Sequence, residues 1–195
     1  MKLHYKDYTL DFLETELVFD DDRYENVFAD FKKDVTLRKA IENERYKYEP
    51  MREYIEYKYS SFLDMPLGTF LWQLKSKEDF FYRQLLNPYG DETYCTFSID
   101  SASEEQKGIY FFSVENDIKY IGLTTNSYKH TVYQYSKISP ASCYKSGQST
   151  FCRLNSLIAS LQEEISFFVY PMQKDDDMNK VKNYLICTHN PDWNR

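Results

Sequence analysis

Glycine and proline are scarce in this chain, at five and six among 195 residues. Chains that stay disordered are poor in aromatics and rich in such residues. Here tyrosine and phenylalanine number 19 and 14, so a mostly folded chain without long linkers is expected, with room for one ordinary domain or two small ones. No run of about 18 apolar residues is present to cross a bilayer. The opening M-K-L-H-Y-K-D-Y lacks the apolar core of a signal peptide. Together these absences predict a cytoplasmic protein with no membrane partner. Cysteine pairing is missing as well: Cys95, Cys143, Cys152 and Cys187 form no C-x-x-C, and His4, His130 and His189 are scattered. Structural zinc usually shows paired ligands, so reduced and mostly buried thiols are expected and no metal ligand is assigned.

Acid is also missing from one stretch of an acidic protein. The net charge is -7, and the whole excess lies in residues 1–100, which carry 14 Lys/Arg against 21 Asp/Glu, while residues 101–195 carry 10 of each. Between Asp117 and Glu163 there is no acid, yet Lys119, Lys129, Lys137, Lys145 and Arg153 fall there. Lys129, Lys137, Lys145, Gln148 and Arg153 are therefore the candidate nucleic-acid contacts, cations and an amide being suited to phosphate oxygens.

Residues 1 to about 20 alternate loosely and suggest one or two strands, although the Glu-rich end suits a helix start equally well. From Asp21 to about Ser60 the spacing of Tyr24, Val27, Phe28, Phe31, Val35, Leu37, Ile41, Tyr46, Met51, Tyr54, Ile55 and Tyr59 is helical, with Pro50 dividing it into two helices. Ser61 to Leu86 is also helical, interrupted near Pro66–Gly68. The cluster Asn87-Pro88-Tyr89-Gly90-Asp91 marks a turn and a boundary. The first hundred residues thus read as a mainly helical, acidic, aromatic-rich region. A polar lead, residues 101–107, introduces two strands joined by Asn116-Asp117. There follow a helix from Asn126 to about Tyr135, a loop, a helix from Ser149 or Thr150 to about Glu163, a strand from Ile165 to Met172, and a last helix from the Asp175–Asp177 run to before Asn190-Pro191.

The two strands read G-I-Y-F-F-S-V-E-N-D-I-K-Y-I-G, residues 108 to 122. The stretch resembles the signature of the GIY-YIG nuclease superfamily, whose name is these two tripeptides at this spacing. The β-β-α-α-β-α order of residues 101–195 matches that family's layout. The resemblance implies an α+β fold: a small mixed sheet with flanking helices over 101–195, preceded by the mainly helical region 1–100. It places Tyr110 and Tyr120 on the two family tyrosines beside the attacking water and the scissile phosphate, Tyr135 on a later helix position, and Asn194 on the family asparagine of the P-D-W-N ending. The segment 137–158, K-I-S-P-A-S-C-Y-K-S-G-Q-S-T-F-C-R-L-N-S-L-I, resembles a restriction-endonuclease-like branch.

Two positions depart from the pattern. Thr131 stands where the family has its helix arginine, and a hydroxyl offers neither formal charge nor a fork of donors. His130 would reach that site if the alignment shifted by one residue. Lys182, three residues before Leu185 and twelve before Asn194, stands where a metal-binding glutamate is expected, and an ammonium cannot ligate a hard cation. Asp175, Asp176 and Asp177 lie about two turns away and read as a capping, solvated run. The resemblance therefore implies a catalytically degenerate nuclease-like protein, a pseudoenzyme serving a restriction or phage-defence system as accessory or regulatory component. It would bind DNA or a protein partner and need no cofactor. Two alternatives stand beside it. One is an active DNA endonuclease, using magnesium or manganese or none, with Lys182 supplying charge and Tyr110 or His130 the base. The other is an acidic protein-interaction or DNA-mimic module.

Overall fold

The computed structural model describes residues 1–44 and 47–195, with the side chains of Asp21, Glu163 and Asp176 also outside the description. Tyr46, part of the helical spacing above, lies outside it too. The fold class is α+β. The chain opens with strands β1 (Lys2–Tyr5), β2 (Tyr8–Asp11) and β3 (Leu13–Tyr24). The early alternation therefore yields three strands, and residues 21–24 continue β3 instead of starting a helix. Exposed Asp20 and Asp22 suit a solvated strand face as well as a helix terminus. The helical spacing becomes a 3-10 turn (Val27–Asp30), α1 (Leu37–Glu42), α2 (Arg52–Lys58), α3 (Leu67–Ser76) and a 3-10 run (Phe80–Leu85). Pro50 sits in the 3-10 turn just ahead of α2 and Pro66 at the N-cap of α3, where a missing N–H breaks no helical bond.

Strand β4 (Tyr94–Asp100) is an element the sequence reading did not contain. It is followed by β5 (Gly108–Val114), β6 (Asp117–Thr124), α4 (Tyr128–Ser136), α5 (Ser149–Leu161), β7 (Ile165–Pro171) and α6 (Asp175–His189), in the expected order. The hairpin turn is Glu115-Asn116, one residue before the expected Asn116-Asp117. Both turn residues have positive φ, 50° and 70°, as a two-residue hairpin turn matched to strand twist requires. Among the described residues, no helix is long and apolar enough to cross a membrane.

Two compact units divide the chain, each assembled from separated stretches. The first comprises residues 1–21, 96–136 and 160–195 and holds most of a five-stranded sheet of order β4-β3-β7-β5-β6. The pairings β3/β7, β5/β7 and β5/β6 are all antiparallel. β5, interior between β7 and β6, is buried from Gly108 to Ser113, which explains its almost continuous apolar sequence. One face of this sheet gathers Phe12, Ile109, Phe111, Ile121 and Phe168 with Val181 and Leu185 of α6. Phe111 and Phe168 stack with centroids 4.8 Å apart. The other face carries Tyr110 and Phe112, which meet the aromatics of α4, and Phe167, which packs against both.

Side chains close the outermost strands. On β6, Ile121 N–H donates to Asn194 Oδ1 at 2.8 Å while Asn194 Nδ2 donates to Ile121 O at 2.9 Å. On β4, Ser136 Oγ accepts from Phe97 N–H at 2.8 Å.

The second unit comprises residues 22–95 and 137–159. Its core packs Phe28, Leu37, Ile41, Tyr48, Leu67 and Phe70, with Cys143, Tyr144 and Cys152 from the later stretch. Buried Asn155 treats Cys95 as Asn194 treats Ile121, accepting from its N–H at 2.9 Å and donating to its carbonyl at 2.8 Å. Tyr144 and Tyr48 donate to the Phe28 and Leu85 carbonyls at 2.8 and 2.6 Å, so these deep hydroxyls are satisfied.

Candidate functional site

The 108–122 hairpin brings its two tyrosines together through an irregularity. With a plain two-residue turn, Val114 faces Asp117, Ser113 faces Ile118 and Tyr120 would face Phe111, its ring on the α6 side. The register instead shifts between Phe112 and Ser113, so that Phe112 faces Tyr120 and Tyr110 faces Gly122. Lys119 is the extra residue of this bulge. Because side chains alternate with period two, the single insertion carries Tyr120 to the other face, beside Tyr110. The ring centroids are 6.2 Å apart.

The glycines of the two tripeptides have distinct steric reasons. Gly108 has φ +152°, and a Cβ there would run into the Tyr170 carbonyl and the Tyr128 hydroxyl. At Gly122 a Cβ would stand 2.6 Å from Tyr110 Cε2 and closer still to its Cζ and hydroxyl. Tyr110 lies flat over Gly122, and its ring occupies the place of a side chain.

Helix α4 covers this face. Tyr128, Thr131, Val132, Tyr135 and Ser136 are its buried positions, the stripe expected of period 3.6. Tyr135 Oη lies 2.7 Å from Tyr110 Oη and 3.4 Å from Tyr120 Oη, so the three hydroxyls converge. Burial drives the Tyr110 hydroxyl well above its ordinary value of 10.0, with the Tyr135 and Tyr120 hydroxyls adding to the rise. Burial likewise raises Tyr135. At neutral pH both stay protonated, able to exchange hydrogen bonds but not to serve as tyrosinate bases.

The other expected site residues disperse. Thr131, 8 % exposed, shares the buried stripe one turn before Tyr135, whereas His130 and Lys129 are exposed. Lys182 lies on α6, which packs its apolar side on the face opposite the tyrosines, and it forms no ion pair or hydrogen bond among the described residues. Asn194 spends its amide on the Ile121 backbone. Tyr128 and Phe167, which the sequence reading did not single out, complete the aromatic surroundings of Tyr110 at 6.5 and 5.6 Å. The i, i+7 spacing of Tyr128 and Tyr135 was the available signal.

No protein-family model, curated protein or solved structure matches this chain. A divalent cation needs oxygen ligands, and the residues at hand do not fit one. Lys182 occupies the position where a carboxylate is expected, and Asp175 and Asp177 pair with Lys107 and Lys180 at 2.7 and 3.5 Å; the Asp176 side chain is outside the described residues. No group of three His, Cys, Asp or Glu side chains gathers among the described residues.

Folding also changes the meaning of the acid-free stretch. Lys129 pairs with Glu104 at 2.8 Å and Glu105 at 3.5 Å. Lys119 pairs with Asp117 and, at 3.9 Å, with Asp192. Asp117 beside Lys119, and carboxylates brought in from Glu104, Glu105 and Asp192, thus screen two of its five cations. Lys137, Lys145, Gln148 and Arg153 belong to the second unit. There Lys145 and Gln148 are exposed, and Arg153 lies over the Tyr89 ring at 5.8 Å.

Proposed function

We propose that this chain is a catalytically silent, GIY-YIG-like binding protein, acting in the cytoplasm as an accessory or regulatory component of a restriction or phage-defence system, with a protein as its partner. The observation that carries the silence is the tyrosine site. Its hydroxyls bond to one another under an aromatic lid, and burial holds the Tyr110 and Tyr135 phenols protonated at neutral pH. Phosphodiester hydrolysis draws its largest assistance from positioned charge and metal ions, several kcal/mol each, and a protonated phenol supplies neither. The defence context rests on the resemblance of residues 137–158 alone. A protein partner is favoured over DNA because Lys119 and Lys129 are already ion-paired, which weakens the basic strip suggested by the sequence.

The test is incubation of the purified protein with supercoiled plasmid in magnesium or manganese. No nicking is expected. Cleavage abolished by Tyr120→Phe would overturn the proposal in favour of an active endonuclease. A gel shift at low salt decides the partner class: no retained duplex is expected, and salt-dependent binding lost on neutralising Lys137, Lys145 and Arg153 would assign DNA instead.

A further inference from the structure

Strands β3 and β7 pair at Leu13, Glu14 and Thr15, and the ladder ends at Thr15 facing Phe167. Both strands continue beyond this point. β7 runs back to Ile165, which stays paired with Val114 of β5, while β3 runs on to Tyr24. The fork between them is a cleft of about 530 Å³ lined by Glu14, Thr15, Glu16, Leu17, Phe19 and Ser166, among others. Thr15 is 3 % exposed, and its hydroxyl, buried at this fork, has no hydrogen-bond partner among the described residues. A buried polar group left unsatisfied costs about 1–3 kcal/mol, so a native chain that retains one invites a ligand that satisfies it.

The chemistry of that ligand follows from the alternation of β3. Glu14 and Glu16 are exposed on one face and form no ion pair among the described residues. Leu17 and Phe19 share the other face with Thr15, Phe19 lying 5.7 Å from the Phe97 ring. An incoming strand places its own side chains on alternate faces at the same spacing. We propose that the fork docks an extended segment of a partner protein in which Lys or Arg alternates with apolar residues. Its backbone adds to the open edge of β3 from Glu16 to Phe19, its cations meet Glu14 and Glu16, and its polar backbone satisfies the Thr15 hydroxyl. A small cation would use the carboxylates alone and leave the strand edge and the apolar face empty.

This inference rests on the reading of the chain as a protein-binding component. Its test uses a fluorescent acetyl-Lys-Val-Lys-Val-Lys-Val-amide peptide and the full chain, read by anisotropy. Salt-sensitive binding is expected, weakened about tenfold or more by the surface double substitution Glu14→Gln with Glu16→Gln. A peptide with alternate backbone amides N-methylated keeps the charge and cannot form a ladder; it should bind at least about tenfold more weakly. Thr15→Val should raise the urea midpoint of the free chain while reducing peptide affinity, a combination that loss of folding cannot produce. Equal binding of the methylated and unmethylated peptides, or affinity indifferent to Glu14 and Glu16, overturns the docking proposal. Plasmid nicking overturns the silent-site reading without touching the peptide result.

Discussion

Gly122→Ala is the substitution that tests the tyrosine site most directly, because the ordinary rule and this structure expect opposite signs. In a strand interior, alanine is normally favoured over glycine by about 0.5–1 kcal/mol. Here the added methyl would enter the space of the Tyr110 ring. That ring is 2 % exposed and is flanked by Tyr120, Phe112 and Phe167 with centroids 5.6 to 6.3 Å away, so it has nowhere to swing. Overpacking of this kind costs about 1–3 kcal/mol, and displacing the ring also strains the Tyr110–Tyr135 bond, worth about 1 kcal/mol. Set against the propensity gain, the net destabilisation is about 2 kcal/mol. Urea unfolding in a Trp72→Phe background leaves Trp193 as the sole tryptophan, a reporter within the first unit. Repeating the substitution in a Tyr110→Leu chain removes the obstacle, and there Gly122→Ala should be neutral or stabilising. A coupling energy of about 2 kcal/mol closes the cycle. Stabilisation by Gly122→Ala in the parent chain, or an equal cost in both backgrounds, would refute the packing argument.

Further expectations concern the strand edge and the buried phenols. Asn194→Ala should cost about 1–2 kcal/mol on the same Trp193 readout, because it leaves both Ile121 backbone groups without their partner; an unchanged midpoint would show that Asn194 is not structural. Asn194→Asp should be no milder, since a carboxylate can accept from Ile121 N–H but not donate to its carbonyl. Tyr110, Tyr128 and Tyr135 are all raised above 10.0 by burial. In the unfolded chain they lose their protons first, so stability should be level below about pH 10 and fall as pH rises beyond it. The share of tyrosinate absorbance due to these three, read as the part lost when each is replaced by Phe, should therefore appear only with unfolding; their titration in a folded chain would contradict their burial.

The hairpin, the helix after it and the order of elements in the second half were legible because each has a local pattern: paired apolar runs, a buried stripe, an Asp-rich helix start. Strand β3 was only partly so, since its exposed and acidic side chains blur the period. β4 was hidden behind the Asn87–Asp91 turn signal, its alternation short and its neighbours in the sheet far away in sequence. The register shift at Lys119 leaves no mark in composition, yet it decides which face Tyr120 takes. Nor could counting charges along the chain reveal that Glu104, Glu105 and Asp192 would fold back onto Lys129 and Lys119. Thr131 and Lys182 were visible as departures from a pattern, but only the fold places the first on the inner stripe of α4 and the second on a helix packed on the opposite face.

The amides of Asn194 and Asn155 and the hydroxyl of Ser136 occupy outward-facing backbone groups of the outermost strands. An unguarded outer strand is a template on which like chains polymerise. Each of these side chains imitates the missing neighbour for a single residue, with a planar amide standing in for a peptide group, and so ends growth where it would begin. Loss of the Asn194 clasp would be felt less in the isolated molecule than in concentrated solution, as slow fibrous association in which one molecule's β6 recruits the next, whereas the β4 groups stay buried.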